Sequence, residues 1–226
     1  MITALSALTN VDIKPNNTLI IIDEVQEIPE VLESLKYFCE DAPDYHVAVA
    51  GSLLGISLHQ GFSYPVGKVQ TINVYPMNFE EFLLAKGEDG LYQALVNKDF
   101  QTTNILHEKY VEILRQYYYV GGMPEVVQKY VSQKNYSGIL DMQKQLLLDY
   151  EEDITKYAIG LDKGKIKNVY SNISVFLAKE NKKYQISKIS RNARNRDYIG
   201  TTEWLADAGI VSPCYCLESL ELPLKG

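Results

Sequence analysis

A run of four apolar residues that leads into two acids constrains the fold more than any other stretch of the sequence. The run, Leu19-Ile20-Ile21-Ile22, lies between Pro15-Asn16-Asn17 and Pro29, and it ends in Asp23-Glu24. A short, continuous apolar segment with turn residues on both sides predicts a strand buried on both faces, as in the centre of a parallel sheet. We therefore expect an α/β fold in which both carboxylates lie at the carboxyl end of this strand.

The position of the two acids favours a nucleotide-binding role, because open α/β sheets bind ligands at the carboxyl ends of their strands. Asp23 at that edge could hold Mg²⁺ on a nucleotide, and Glu24 could orient or deprotonate an attacking water. This arrangement has the form of a Walker B motif. The alternative is a buried strand whose polar end simply meets solvent, and these residues alone favour neither interpretation.

Composition and charge restrict the partners of the chain. Its 226 residues, 46% of them hydrophobic, are enough for one large domain or two small ones. Because the net charge is −7, the surface as a whole does not attract nucleic acid, and any such contact needs a local basic stretch. The chain shows no signal peptide and no apolar stretch near the ~18 residues that a membrane span needs. We expect a cytoplasmic protein without a membrane partner.

The pattern after the acidic pair alternates between helix and strand, which predicts parallel strands joined by right-handed crossovers. Asn78 and Glu81 form a capping-box pattern at the start of a short helix. The predicted elements are a helix over 27–40, a second buried strand over 46–50, a third strand over 69–74 and the short helix from residue 79.

The sequence contains no G-x-x-x-x-G-K-[ST] loop, which a nucleotide-binding sheet of this kind needs for its phosphates. Gly67-Lys68 is a Gly-Lys pair next to a predicted strand. However, Phe62 and Val69 occupy the positions where the motif requires glycine and serine or threonine. We therefore interpret Lys68 as a solvated loop charge.

From about residue 86 the pattern is helical, with apolar stripes over 106–117 and 139–150. Tyr117-Tyr118-Tyr119 precedes Gly121-Gly122-Met123-Pro124, whose glycines and proline predict a break between two helices. For the tyrosines, core packing with the hydroxyls reaching the surface is favoured over a stacking platform.

The last part of the chain predicts a winged-helix-like module, with helices over 166–177, 185–193 and 197–208 and a strand over 210–217. It contains the one basic run of an acidic chain, residues 179–196. Glu180 is the single acidic residue in this run. A recognition helix there could contact DNA. Alternatively, the module packs between domains and its charges face solvent. The candidate nucleic-acid residues are Lys182, Lys183, Lys188, Arg191, Arg194 and Arg196.

Seven segments, in this order, resemble prokaryotic AAA+ ATPases whose ATPase core is followed by a domain of unknown function. The resemblance implies a partial AAA+ P-loop NTPase sheet over 1–85, a helical region over 86–165 and a winged-helix-like module over 166–226. A nuclease-like region would follow. The segments are Leu19 to Gln26 (LIIIDEVQ), Ala50 to Gly55 (AGSLLG), Pro65 to Val69 (PVGKV), Tyr75 to Leu83 (YPMNFEEFL), Tyr119 to Val126 (YVGGMPEV), Asp149 to Tyr157 (DYEEDITKY) and Trp204 to Ile210 (WLADAGI).

The resemblance also implies roles for three residues. Asp23 matches the Mg²⁺-binding Walker B aspartate, Glu24 the catalytic glutamate that polarises water, and Ser52 the sensor position that contacts the γ-phosphate or the water. ATP and Mg²⁺ are thus expected for the complete protein. Without the P-loop, we expect this chain alone to bind neither and to be inactive.

The resemblance further implies which segments are missing. The family's first strands with the P-loop, and its C-terminal region, have no counterpart here, so we expect an internal piece of a longer protein or the product of a split reading frame. The P-loop strand would lie between the strands at 47–50 and 69–74, and its absence leaves two exposed edges. We expect the sheet to close the gap by rearranging, to borrow a strand from a neighbour such as a separate P-loop half, or to self-associate. The alternative is a non-enzymatic protein- or DNA-interaction module.

Overall fold

The computed structural model describes residues 1–52, 67–158, 162–181, 184–189 and 194–214. The chain divides into two compact units. The first unit combines Met1–Thr71 with Ala158–Gly226, and the second is Ile72–Tyr157. In the described ranges, no helix combines the length and the apolar character needed to cross a bilayer.

The first unit contains a parallel pair of strands joined by a helix. Strand β1 (Leu19–Ile22) pairs with strand β2 (His46–Val49), and helix α2 (Pro29–Asp41) connects them; helix α1 (Ile2–Thr9) precedes β1. Proline begins α2, where the helix does not need a backbone N–H. The α/β arrangement predicted for this part of the chain is confirmed.

Strand β1 is covered on one face only, so the prediction of burial on both faces was wrong. Ile20 is 8% exposed, whereas Leu19 and Ile21 are 57% and 68% exposed. Successive side chains of a strand point to opposite faces, and α2 packs against the face that carries Ile20. The small core of the covered face is formed by Val25, Leu32 and Leu35, with Val31, Val47, Val49 and Val69 packed against it.

The third strand predicted over 69–74 is also wrong, because these residues have no regular secondary structure. Ile72 and Val74 are 77% and 90% exposed. A strand needs a neighbour for its backbone N–H and C=O groups. The resemblance places the P-loop strand beside this segment, and the sequence contains no P-loop.

The second unit is helical, as predicted. Its apolar core includes Ile113 and Ile139, while Met142 and Leu146 pack against that core, which confirms the two predicted stripes. Phe82 and Leu83 are fully buried in the same core. The helices are α3 (Phe79–Ala85), α4 (Asp89–Val96), α5 (Phe100–Ile105), α6 (His107–Val120), α7 (Pro124–Gln133) and α8 (Ile139–Tyr157).

Helix α3 begins with the predicted capping box. The Asn78 side chain accepts a hydrogen bond from Glu81 N at 2.9 Å, and the Glu81 carboxylate accepts one from Asn78 N at 2.7 Å. Two backbone N–H groups at the helix start are thereby satisfied.

The predicted break between α6 and α7 brings two backbone segments into contact. Gly121 has a φ of 76°, a conformation that favours glycine, and Pro124 begins α7. Met77 N donates a hydrogen bond to Gly122 O at 2.7 Å, and the Tyr117 hydroxyl donates one to Met77 O at 2.8 Å. A Cβ on Gly122 would lie 3.0 Å from Met77 N and closer still to Met77 O.

The last described segment of the first unit contains helices α9 (Lys163–Leu177) and α10 (Ile199–Asp207), which contact each other. Both were predicted, and Gly209, with a φ of 70°, follows the end of α10. In the described part of the helix predicted over 185–193, only a 3-10 turn forms, at Ile186–Lys188. The apolar residues Ile186 and Ile189 are three positions apart, which is the repeat of a 3-10 helix. Residues 210–214 of the predicted strand 210–217 are not a strand. The remaining residues of both predictions lie outside the described ranges.

We predict that Gly122→Ala lowers the free energy of unfolding by about 2 kcal/mol, because the added methyl group would displace the Met77 backbone. Gly90→Ala in α4 is the matched control, since nothing lies within 4 Å of a Cβ there. The control should leave stability unchanged or raise it by up to about 1 kcal/mol. Denaturant unfolding followed by circular dichroism measures both changes. Equal stability of Gly122→Ala and the wild type would contradict the prediction.

Candidate functional site

Asp23 and Glu24 lie at the carboxyl end of β1, as predicted, and both are exposed. Strand β2 runs parallel to β1, so both strands end at the same edge of the sheet. Two backbone hydrogen bonds join the ends: Ala50 N donates to Ile22 O at 2.8 Å, and Val25 N donates to Ala50 O at 3.0 Å. This edge is the candidate functional site.

The backbone turns sharply at Glu24 as it leaves the strand. Glu24 has a φ of 51° and a ψ of 42°, the left-handed region that costs a non-glycine residue roughly 1–2 kcal/mol. Two contacts hold this turn. Asp23 Oδ1 accepts a hydrogen bond from Glu24 N at 2.9 Å, and the Gln26 side-chain amide donates one to the Glu24 carboxylate. The orientation of Glu24 therefore depends on Gln26.

Gln26 is a site residue to which the sequence analysis assigned no role. Its side chain is 9% exposed, and its Oε1 is buried without a hydrogen-bond partner among the described residues. Leaving such an atom unpaired costs roughly 1–3 kcal/mol. The sequence signal that could have identified Gln26 is its position, because it is a polar residue in the first turn after the strand and just before an amphipathic helix.

Gly51, two residues after the end of β2, leaves room for the Gln26 side chain. A Cβ at Gly51 would overlap Gln26 Oε1 and would lie 3.4 Å from Val25 Cγ1. Ser52, the predicted sensor residue, follows in a turn and is exposed. The catalytic roles of Asp23, Glu24 and Ser52 stay predictions.

The carboxylates at this edge suit a metal ion that is bound by the protein and the substrate together. Across the described ranges, no group of three or more His, Cys, Asp or Glu side chains could hold a metal ion. Mg²⁺ is usually bound by one or two carboxylates together with substrate phosphates and water, and not by an all-protein cage. The exposed Asp23 carboxylate fits that mode of binding.

Three of the six candidate nucleic-acid residues are described, and all three are exposed. Lys188 ends the 3-10 turn, and Arg196 Nε lies 3.7 Å from Asp197 Oδ1. Arg194 precedes a second short turn. DNA contact stays a prediction. Lys182, Lys183 and Arg191 lie outside the described residues.

We predict that Gly51→Ala destabilises the protein by about 1–3 kcal/mol because its methyl group displaces the buried Gln26 amide. In a Gln26→Ala background this cost should disappear, since the overlapping atom is gone. A double-mutant cycle in denaturant measures the coupling. An equal cost of Gly51→Ala in both backgrounds would show that Gln26 does not fill this space.

Two family models match the chain. Residues 2–83 match a model described as an AAA domain, and residues 111–222 match one described as "Domain of unknown function (DUF8612)". No curated protein and no solved structure matches the chain. The first match includes both strands, the acidic pair and the capping box of α3. This match supports an AAA-like domain in the N-terminal part of the chain.

Proposed function

We propose that this chain is the Walker B part of an AAA+ ATPase that, in its complete form, binds and hydrolyses ATP with Mg²⁺. One observation carries the proposal: Asp23 and Glu24 lie at the carboxyl end of a strand in a parallel pair, inside the region that matches an AAA domain. Open α/β sheets bind their ligands at this edge.

Each residue at this edge has a distinct role in the proposal. Asp23 holds Mg²⁺, Glu24 orients the attacking water, and Ser52 contacts the γ-phosphate or that water. When bound, Mg²⁺ neutralises charge that develops on the phosphates. Gln26 positions Glu24, because its amide donates a hydrogen bond to the Glu24 carboxylate. The coupling of the nucleotide state to residues 166–226 as a winged-helix module rests on the family resemblance.

Catalysis further requires a P-loop half, by which we mean a polypeptide that carries the first strands and the P-loop of the family. The P-loop backbone and its lysine supply the main electrostatic contacts to the β- and γ-phosphates. The chain contains no such motif, and Asp23 and Glu24 add negative charge that repels a free triphosphate. We infer that the chain alone does not hydrolyse ATP.

The P-loop half is the partner that suits the open sheet. Among the described residues, β1 and β2 pair only with each other, so each strand has a free edge. Leu19 and Ile21 leave an apolar surface on the uncovered face, and such surfaces commonly mark interaction sites. Self-association through the same edges is the competing outcome.

The second candidate function is a non-enzymatic interaction module. In that case the acidic pair would be a solvated strand end, and a partner bound to the sheet would bring no nucleotide to it. Mg²⁺-ATP distinguishes the two functions, because only the first requires nucleotide to bind the assembled sheet.

We predict that Mg²⁺-ATP does not shift the melting temperature of the chain alone. Mixed with a separately expressed P-loop half, the complex should gain about 2.7 kcal/mol at a hundred times the dissociation constant. The mixture should also hydrolyse ATP. Hydrolysis should be lost in Asp23→Asn and Glu24→Gln, whereas Glu33→Gln, an exposed acid on α2, should retain it.

Two results would contradict the proposal. ATP turnover by the chain alone that vanishes in Asp23→Asn would show that no P-loop half is needed. A stable complex of the two polypeptides that ignores Mg²⁺-ATP would favour the interaction module.

A further inference from the structure

A cavity of about 480 Å³ opens on the second unit. This volume lies within the range of small-ligand and side-chain pockets in proteins. Helix α6 supplies most of the lining, and the loop between α7 and α8 supplies one side chain. The lining residues are Glu112, Arg115, Gln116, Tyr119 and Tyr136.

Two exposed tyrosines form the aromatic wall of the cavity. The rings of Tyr119 and Tyr136 meet edge to face at 4.8 Å, and Tyr136 stacks on Tyr130 at 5.2 Å. Tyr119 is 50% exposed and Tyr136 45%, whereas Tyr130 belongs to the core. Of the three consecutive tyrosines for which core packing was predicted, Tyr117 packs against the core, whereas Tyr118 and Tyr119 are 74% and 50% exposed. Each exposed ring offers a flat apolar surface to a partner.

The floor of the cavity is fixed by contacts within the protein. Gln116 Oε1 accepts hydrogen bonds from the Tyr130 hydroxyl, at 3.0 Å, and from Lys86 Nζ, while Gln116 Nε2 donates to Glu112 Oε1 at 3.3 Å. Lys86 Nζ also lies 5.5 Å from the centre of the Tyr130 ring, and burial lowers the pKa of Lys86. Both ends of the Gln116 amide are therefore engaged before a ligand arrives.

Arg115 is the remaining charged group of the wall. Its side chain is exposed, and within the described ranges no hydrogen bond or ion pair holds its guanidinium group. A guanidinium group binds a carboxylate through two parallel hydrogen bonds. A free arginine beside two aromatic rings suits a ligand that combines an anion with a flat ring.

We propose that this cavity docks a protein segment that presents an aromatic side chain next to a carboxylate. The ring packs on Tyr119 and Tyr136, and the carboxylate pairs with Arg115. Tyrosine and arginine are, with tryptophan, the residue types that most often dominate the energy of protein interfaces. Charge favours a peptide with one carboxylate over nucleic acid, because the second unit has thirteen acidic and eight basic side chains and therefore repels a ligand with several phosphates more strongly than one with a single carboxylate. The engaged Gln116 amide is also poorly placed to read a base edge.

The test uses the full chain, labelled with ¹⁵N, and N-acetyl-tyrosyl-aspartyl-amide as the probe. The probe should shift the amide resonances of α6 and of the loop after α7 in a saturable manner. The asparaginyl analogue, which has no charge, should bind about threefold more weakly. The Arg115→Gln variant should bind the aspartyl probe more weakly than the wild type by the same factor, and it should bind both probes with equal affinity. Tyr136→Leu should weaken both probes about fivefold.

Lys98→Gln is the control variant, because Lys98 is exposed on the second unit and does not line the cavity. It should bind the aspartyl probe as the wild type does. Absence of saturable shifts on α6 at 10 mM (about tenfold above a 1 mM dissociation constant) would overturn the proposal. So would equal binding of the aspartyl probe to Arg115→Gln and the wild type. Saturable binding of a thymidine dinucleotide in place of the peptide would assign the cavity to nucleic acid instead.

Discussion

The parallel pairing of β1 with β2 is the contact on which the candidate site depends. It places the ends of both strands at one edge, and the hydrogen bonds of Ala50 then fix the first residues after β1. Val25 N is hydrogen-bonded to Ala50 O beyond the end of β2, so the chain turns within two residues of Ile22, and Glu24 has a left-handed conformation in this turn. The exposed acidic pair is thus a product of the sheet geometry.

The same small sheet explains why the first unit is incompletely covered. With α2 on one face, Ile20 is buried and Ile21 is exposed, although a central strand of a parallel sheet would bury both. Within the described ranges both strands have a free edge and one face of the sheet is bare, and proteins usually pair such edges and cover such faces. A second polypeptide that covers them would restore the apolar burial for which the four-residue run is suited.

Local signals allowed much of the fold to be predicted. The capping pair Asn78 and Glu81 and the Gly121 break depend on residues within a few positions, and the apolar run is recognisable as a strand from its own composition and flanking turns; the structure contains all three features. The failures arose where the outcome depends on a distant or absent neighbour. Ile21 and the apolar residues of the segment 69–74 could fill a sheet interior, but the neighbours they need are not among the described residues.

The functional site was only partly predictable for the same reason. Asp23 and Glu24 follow from their position after a strand, whereas the burial of Gln26 depends on the absence of a side chain at Gly51, 25 residues away. The tyrosine cavity likewise depends on the packing of α6 against the loop that carries Tyr136. Sequence periodicity predicts which tyrosines lie on the apolar face of a helix, but tertiary packing determines which of their rings remain exposed.

We propose that the acidic pair Asp23 and Glu24 faces a magnesium-bound triphosphate once a P-loop is supplied. A crystal structure of the chain in complex with a P-loop half, Mg²⁺ and a non-hydrolysable ATP analogue tests this most directly. We expect Asp23 to bind Mg²⁺ directly or through one water, with Glu24 facing the γ-phosphate. A triphosphate bound elsewhere, or an acidic pair that points away from the bound nucleotide, would contradict the claim.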